Sequence, residues 1–203
     1  MKKNYLGYFL ATITISLGIV GCSASDNSET MTKIHEASTA EEFSLITEEY
    51  HDVIDTKFDD GTLRITLEKD DLNDANHNVE FFAFESIKLL EELSNNENVD
   101  VFVFTQPGTL LDKKLNEFEY HIISVAYTKD NLKEINMENF YERTMVYPEF
   151  FYDMADAYWI VDPVYYNLDE EMQSKVNAWK LSDHELIVGN EMYTSLIEAE
   201  FEK

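Results

Sequence analysis

The sequence of 203 residues contains a single cysteine, Cys22. One thiol cannot form an internal disulfide, and thiolate zinc sites and iron–sulfur clusters need several cysteines. Because Cys22 lies close to the N-terminus, a domain formed by the later residues would contain no thiol. Such a domain has to be held together by its hydrophobic core alone, and the 44% of hydrophobic residues supply enough apolar material for one.

The residues before Cys22 have the composition of a secretory signal peptide. Lys2 and Lys3 give a positively charged start, and the apolar stretch from Leu6 to Val20 carries no charge. The sequence becomes polar directly after Cys22. We therefore predict that residues 1–21 are a signal peptide. An uncleaved transmembrane helix is the alternative, although the apolar stretch is a little short for one.

The four residues Ile19-Val20-Gly21-Cys22 resemble the lipobox of bacterial lipoproteins, although leucine is commoner than isoleucine at the first position. In that family a signal peptidase cleaves before the cysteine, which carries a diacylglycerol. The resemblance implies lipidation at Cys22, a flexible tether over residues 22–36, and attachment to the cell membrane on the side facing away from the cytoplasm. Residues 37–203 are then predicted to form a single acidic globular domain.

The chain is strongly acidic, with 41 acidic residues, 15 basic residues and a formal net charge of -26. Loss of Lys2 and Lys3 with a signal peptide would make the remainder more negative still. Such a charge argues against binding to nucleic acid, because that binding depends on cationic contacts with phosphate. It permits attraction to a basic protein or peptide, although a charged surface that only keeps the domain soluble explains it as well.

Hydrophobic periodicity predicts helices and strands in the first part of the domain. Ser38-Thr39-Ala40-Glu41 matches a capping box, and the apolar spacing after it predicts a helix to about Thr56. Asn78 is the predicted N-cap of a second helix, and Pro107-Gly108 is predicted to turn the chain. The other elements predicted here are a turn at 59–61, strands at 62–68, 99–105 and 119–128, and helices at 79–93 and 128–135.

The C-terminal part is predicted to be mainly helical. Phe150, Met154 and Tyr158 recur at helical spacing, which predicts a helix over 149–158 with these three residues on its core face. The other elements predicted here are helices at 169–179 and 194–201 and a short strand at 186–188. The element order predicts an α+β fold with a small, mostly antiparallel sheet packed by helices, built on a β-α-β-β core with helical additions at both ends.

No catalytic motif stands out. The glycines are too scattered for a phosphate-binding loop or a nucleophile elbow. His184-Glu185-Leu186-Ile187-Val188 begins like a zinc-protease motif but has valine at the position of the second histidine. With 41 acidic residues, carboxylate pairs occur at any spacing and do not single out a hydrolase site. We predict no catalytic residue, no metal site and no cofactor.

One polar cluster partly matches a calcium loop. Asp74, Asn76, Asn78 and Glu85 have the spacing of loop positions 1, 3, 5 and 12. Val79 occupies the sixth position, where such loops need glycine for a sharp turn. A turn followed by a helix cap therefore explains this cluster better.

Aromatic residues are concentrated between residues 140 and 166, where they alternate with acidic residues. Tyrosine and tryptophan combine an apolar ring with a polar group, which suits them to binding surfaces. They could equally close the core of a small domain without disulfides. We predict a binding site formed by the four aromatic residues that are hardest to bury together: Tyr152, Trp159, Tyr165 and Tyr166.

The sequence therefore predicts a lipid-anchored, non-enzymatic binding module for a protein or basic peptide partner. Two other classes remain open at this point. One is a hydrolase that acts on envelope material through Asp or Glu, and it requires a pocket with converging carboxylates. The other is a calcium-dependent binding module.

Overall fold

A computed structural model of the chain describes residues 33–48, 50, 52–68, 74–111 and 114–180. Cys22, the predicted signal peptide, most of the predicted tether, His184, the predicted strand 186–188 and the predicted helix 194–201 lie outside these residues and stay predictions. Within the described ranges, no helix is both long enough and apolar enough to span a membrane.

The elements of the described residues are numbered here in chain order. The strands are β1 (Val53–Asp59), β2 (Thr62–Leu67), β3 (Val101–Leu111), β4 (Glu117–Thr128), β5 (Ala157–Ile160) and β6 (Trp179–Lys180). The helices are α1 (Ala40–Thr47), α2 (Ala75–Leu93), α3 (Lys129–Glu134), α4 (Met137–Thr144), α5 (Glu149–Met154), α6 (Asp162–Tyr165) and α7 (Glu170–Lys175). Residues 33–36 are also helical.

The six strands of the described residues form one sheet, in the order of the chain from β1 to β6. Neighbouring strands are antiparallel except for β2 and β3, which are parallel because α2 connects them. The prediction of an α+β fold with a mostly antiparallel sheet is therefore confirmed. The predicted antiparallel pairing of the strands now named β3 and β4 is also confirmed.

The first helix ends earlier than the sequence predicts. A capping box begins α1 at Thr39 rather than Ser38, because Thr39 Oγ1 accepts a hydrogen bond from the Glu42 N–H and the Glu42 carboxylate accepts one from the Thr39 N–H. The helix ends at Thr47, so its predicted end at Thr56 is wrong. Residues 53–59 instead form β1, because a tight turn pairs them with β2. The turn residues Asp60 and Gly61 have φ angles of 46° and 73°.

The N-cap of α2 is Asp74 rather than Asn78. The Asp74 carboxylate accepts a hydrogen bond from the His77 N–H, and the helix begins at Ala75. Asn78 lies in the second turn and is fully buried. Residues 75–78, which were predicted to precede the helix, are therefore helical. The N-cap is Asp74, four residues before the predicted cap Asn78.

Pro107 and Gly108 do not turn the chain, which corrects the prediction. Both lie inside β3 and pair with β4, and the register shifts between Gln106 and Pro107. This irregularity accommodates one extra residue of β4, Ile122. Gly108 is required because a Cβ there would lie 2.7 Å from Ile122 Cγ2. The glycine marks a close approach between two strands rather than a turn.

The helices of the C-terminal part are shorter than predicted. α5 ends at Met154, and Tyr158 lies in β5. Of the predicted core face, only Tyr158 is buried, since Phe150 is half-buried and Met154 is 37% exposed. The last described helix ends at Lys175, so the predicted end at 179 is wrong. Trp179 lies in β6 and is 60% exposed.

The main core lies between one face of the sheet and the helices. Phe151 is its centre, with ring centroids of Phe82, Phe104, Phe140, Tyr127 and Tyr152 between 5.3 and 6.5 Å away. A separate small cluster of Val103, Ala126 and Ala157 occupies neighbouring positions on the opposite face. Each aromatic ring removes a large apolar area from water, which a domain without disulfides requires.

The core includes residues that the sequence assigned to the tether. Ile34 is 3% exposed and packs in the main core. The side-chain amide of Asn96 donates hydrogen bonds to the carbonyl oxygens of Ile34 and Ala37, at 2.6 and 3.0 Å. Ile34 is therefore part of the folded domain.

We expect Gly108→Ala to destabilise the domain by about 1–3 kcal/mol, because the added methyl group must displace Ile122 in a filled core. Thr109→Ala, at the neighbouring half-buried position of the same strand, is the control and should cost clearly less. The free energy of unfolding from urea titration measures both. Equal stability of Gly108→Ala and the parent chain would contradict the close approach of β3 and β4.

Candidate functional site

The four aromatic residues of the predicted binding site do not form one surface. Tyr152 is fully buried, and its hydroxyl donates a hydrogen bond of 2.7 Å to the Val79 carbonyl oxygen. It therefore cannot contact a partner. Tyr152 belongs to the core because the residue beside it, Phe151, anchors α5 and turns this side of the helix inward.

The other three residues of that predicted site occupy separate places. Trp159 is half-buried in β5, and its ring lies edge-on to the ring of Tyr120 at 5.9 Å. Tyr165 is half-buried and Tyr166 is 70% exposed, at the end of α6. Their two rings lie 5.5 Å apart. Tyr166 is therefore the member of the predicted set that is mainly available to solvent.

A different surface appears within the aromatic-acidic segment, at the connection between α4 and α5. We call it the corner patch, and it consists of Met145, Val146, Tyr147, Phe150 and Met154. The exposed fractions are 37% for Met145, 65% for Val146, 50% for Tyr147 and 37% for Met154, and Phe150 is half-buried. The rings of Tyr147 and Phe150 lie 6.2 Å apart. Phe150 and Met154 share one side of α5 because they are four residues apart.

Local sequence fixes the geometry of the corner patch. α4 ends at Thr144, which is fully buried, and the chain must leave the helix before Pro148. Pro148 then begins α5 as its N-cap. With Phe151 and Tyr152 facing the core, Phe150 is half-buried at the edge of that core, and Met154, the last residue of α5, is 37% exposed. Sequence reasoning missed this surface because it placed Phe150 and Met154 in the core.

The corner patch lies in acidic surroundings. Residues 137–156 contain five acidic side chains and one basic side chain, Arg143. The Arg143 guanidinium lies over the Phe150 ring, 4.2 Å from its centroid, in a cation–π contact. Glu138, Glu142 and Asp153 are exposed to solvent. The segment that forms the corner patch therefore also carries exposed carboxylates, and one guanidinium lies over a ring of the patch.

Two carboxylates, Asp153 on α5 and Glu91 on α2, have a raised pKa. Burial raises the pKa of Asp153, with Lys180 opposing the rise and Glu149 adding to it. Burial also raises the pKa of Glu91, and the nearby carboxylates of Glu92 and Glu138 add to that rise.

A groove beside α1 is lined by Leu45 and Glu42 among others, and a cleft beside α3 is lined by Lys129 and Lys133 among others. Neither Asp153 nor Glu91, the two carboxylates with a raised pKa, lines these two cavities. Three other carboxylates, Glu36, Glu42 and Glu92, do line the groove beside α1, and hydrogen bonds from Ser38 and Thr39 lower the pKa of Glu42.

The residues of the calcium-loop hypothesis do not form a loop. Asp74 caps α2, and Asn78 is buried within that helix. Glu85 lies about 16 Å from Asp74 along the helix axis, and its carboxylate pairs with Lys88 at 2.6 Å. The side-chain amide of Asn76 instead donates to the carboxylate of Asp169, at 2.5 Å. Among the described residues, no group of three or more His, Cys, Asp or Glu side chains is arranged to hold a metal ion.

Tyr127 and Tyr152 contribute a pH-dependent part of the stability. Burial raises the pKa of both hydroxyl groups well above the usual value of tyrosine. The folded state therefore favours the protonated form. This contribution is fully present below the pKa of tyrosine in the unfolded chain, about 10, and is lost as the pH rises from there through the folded pKa.

We expect Tyr152→Phe to lower the free energy of unfolding by about 0.5–1.5 kcal/mol at neutral pH, because the hydrogen bond to Val79 is lost. The same variant should lose less stability than the parent between about pH 9 and about pH 11. Urea titration followed by circular dichroism across this range measures both effects. An equal loss in parent and variant would contradict the burial of this hydroxyl.

Comparison of the chain with protein-family models, with curated protein sequences and with solved structures finds no match.

Proposed function

We propose that the chain is a lipoprotein anchored through Cys22 on the outer side of the cell membrane, and that its domain is a non-enzymatic binding module. Its partner is a basic protein or peptide, and the binding surface is the corner patch. The observation that carries this proposal is the exposure of Met145, Val146, Tyr147 and Met154 within a segment that is rich in acidic residues.

The apolar character of the corner patch supports a binding role. Four large apolar side chains that are 37% to 65% exposed lie within one stretch of ten residues. Contiguous apolar surface of this kind is typical of interaction sites in soluble domains. Tyr147 adds a rigid ring and a hydroxyl, a combination that is enriched at protein interfaces.

The charge supports a basic partner. The net charge of -26 attracts cations over long range and increases the rate of encounter with a positively charged molecule. Glu142 and Asp153 are exposed, within three residues of corner-patch residues in the sequence, and can pair with lysine or arginine of the partner. The cation–π contact between Arg143 and Phe150 is an internal example of a guanidinium bound on an aromatic ring of the patch.

The anchor limits where a partner can be met. Ten residues lie between Cys22 and Lys33, the first described residue, and the eleven residue steps from one to the other span at most about 40 Å. A diacylglycerol supplies two acyl chains, which is the number that stable attachment needs. The domain would therefore stay within this distance of the membrane surface.

Replacement of the lipidated residue tests the anchor. We expect Cys22→Ser to leave the leader uncleaved and to prevent lipidation, because the thiol is the atom that takes the lipid. Mass spectrometry of the parent chain should give a mass that lacks residues 1–21 and includes an added lipid. Retention of residues 1–21 by the parent chain, or equal lipid labelling of the parent and Cys22→Ser chains, would contradict the anchor.

Replacement of an exposed tyrosine tests the binding surface. A photo-crosslinking amino acid at position 147, in intact cells, should capture one protein, and the crosslinked peptide should contain lysine or arginine. The same amino acid at position 166 is the matched control, since Tyr166 is also an exposed tyrosine but lies outside the corner patch. We expect capture at 147 and not at 166.

Other crosslinking results would argue against the proposed surface. Equal capture at positions 147 and 166 would mean that contact is unspecific, and capture at 166 alone would favour the aromatic site predicted from the sequence. A captured protein whose contact peptide is acidic would contradict the charge argument. Either a missing product at 147 or an acidic contact peptide therefore rejects the proposed surface.

A further inference from the structure

A groove lies between α1 and the C-terminal end of α2. We call it the terminal groove, and it has a volume of 440 Å³. Its apolar lining includes Ile34, Leu45 and Ile46, and its acidic lining consists of Glu36, Glu42 and Glu92. Lys33 also lines the groove, so three carboxylates are present with one ammonium group.

Leu45 gives the terminal groove an apolar contact surface. This side chain is 61% exposed, although it lies in α1 between residues that pack inward, Phe43 and Thr47. Ile34 forms a buried part of the same lining, at 3% exposure. An apolar segment that entered the groove would cover Leu45 and so remove apolar area from water.

Acidic side chains connect the terminal groove with the corner patch. Glu92 lines the groove, Glu91 precedes it on α2, and Glu138 at the start of α4 is near enough to raise the pKa of Glu91. The helix α4 then leads directly to the corner patch. Hydrogen bonds also link the two sites, because Asn96 donates to the Ile34 carbonyl oxygen, Lys129 donates to that of Asn96, and Asn131 on the same helix donates to that of Met154.

We infer that the terminal groove is a second subsite for the partner of the corner patch, which is an extended segment with alternating basic and apolar residues. The inference rests on the proposed function. Apolar side chains of the segment cover Leu45 and Tyr147, and its basic side chains pair with the carboxylates between them. A second copy of this chain does not fit, because both surfaces would carry a large negative charge.

A peptide of alternating arginine and leucine tests this inference. The probe has about sixteen residues, roughly 50 Å when extended, and a short version has about four residues, roughly 13 Å. Affinities for the full chain in mild detergent are measured by fluorescence anisotropy at about 0.15 M salt. The long peptide should bind at least about tenfold more tightly, because the second contact becomes intramolecular.

Two variants and two matched controls locate the contacts. Leu45→Gln and Tyr147→Ala should each weaken binding of the long peptide by at least about fivefold, since each removes one of two linked contacts. Leu111→Gln changes a leucine that is 60% exposed at the far end of β3, and Tyr166→Ala changes a tyrosine outside both sites. Both controls should leave the affinity within about twofold. Circular dichroism verifies that every variant is folded.

The outcomes separate this inference from the proposed function. If Tyr147→Ala weakens binding and Leu45→Gln does not, the terminal groove is no subsite while the corner patch still binds. If Tyr147→Ala has no effect, the corner patch is rejected and the shared partner with it. Equal affinities of the long and short peptides would overturn the inference as well, because a bridging segment must gain from its length.

Discussion

The position of Phe151 determines the rest of the C-terminal half. Its ring touches aromatic side chains from α2, β3, β4 and α4, so it fixes α5 against both the sheet and the neighbouring helices. Phe150 lies on the other side of α5 from Tyr152 and is only half-buried, and Met154 is 37% exposed at the last position of the helix. The corner patch is thus a consequence of how the core is filled, and no separate structural device is needed to expose it.

Several acidic residues of this chain have structural roles. The Asp156 carboxylate accepts hydrogen bonds from the Thr128 N–H, the Thr128 hydroxyl and the Asn131 amide, at 2.6 to 3.1 Å. Asp74 and Asp169 cap helices in the same way. These carboxylates are already paired. Glu138 and Glu142 differ from them, because both side chains are exposed to solvent on α4.

The sequence predicts the fold class well and the surface poorly, and the reasons are physical. Alternation of apolar residues defines β2, and the strands that became β3 and β4 are recognisable from their β-branched and aromatic residues. β1 was not predicted because Val53 and Ile54 also fit helical spacing. Only the pairing with β2 decides between a helix and a strand for these residues. Gly108 was misinterpreted because close approach of two strands selects glycine as strongly as a turn does. Likewise, Phe150 and Phe151 are adjacent and chemically identical, so periodicity alone could not say which one enters the core.

Hydrogen bonds connect the first described residues with both proposed binding surfaces. The side-chain amide of Asn96 donates to the carbonyl oxygens of Ile34 and Ala37, and Lys129 donates to the carbonyl oxygens of Ser94 and Asn96. Two residues further, Asn131 donates to the carbonyl oxygen of Met154 in the corner patch. The same buried residue that fixes residues 34–37 is therefore part of the contacts that hold α3 and α5 in place.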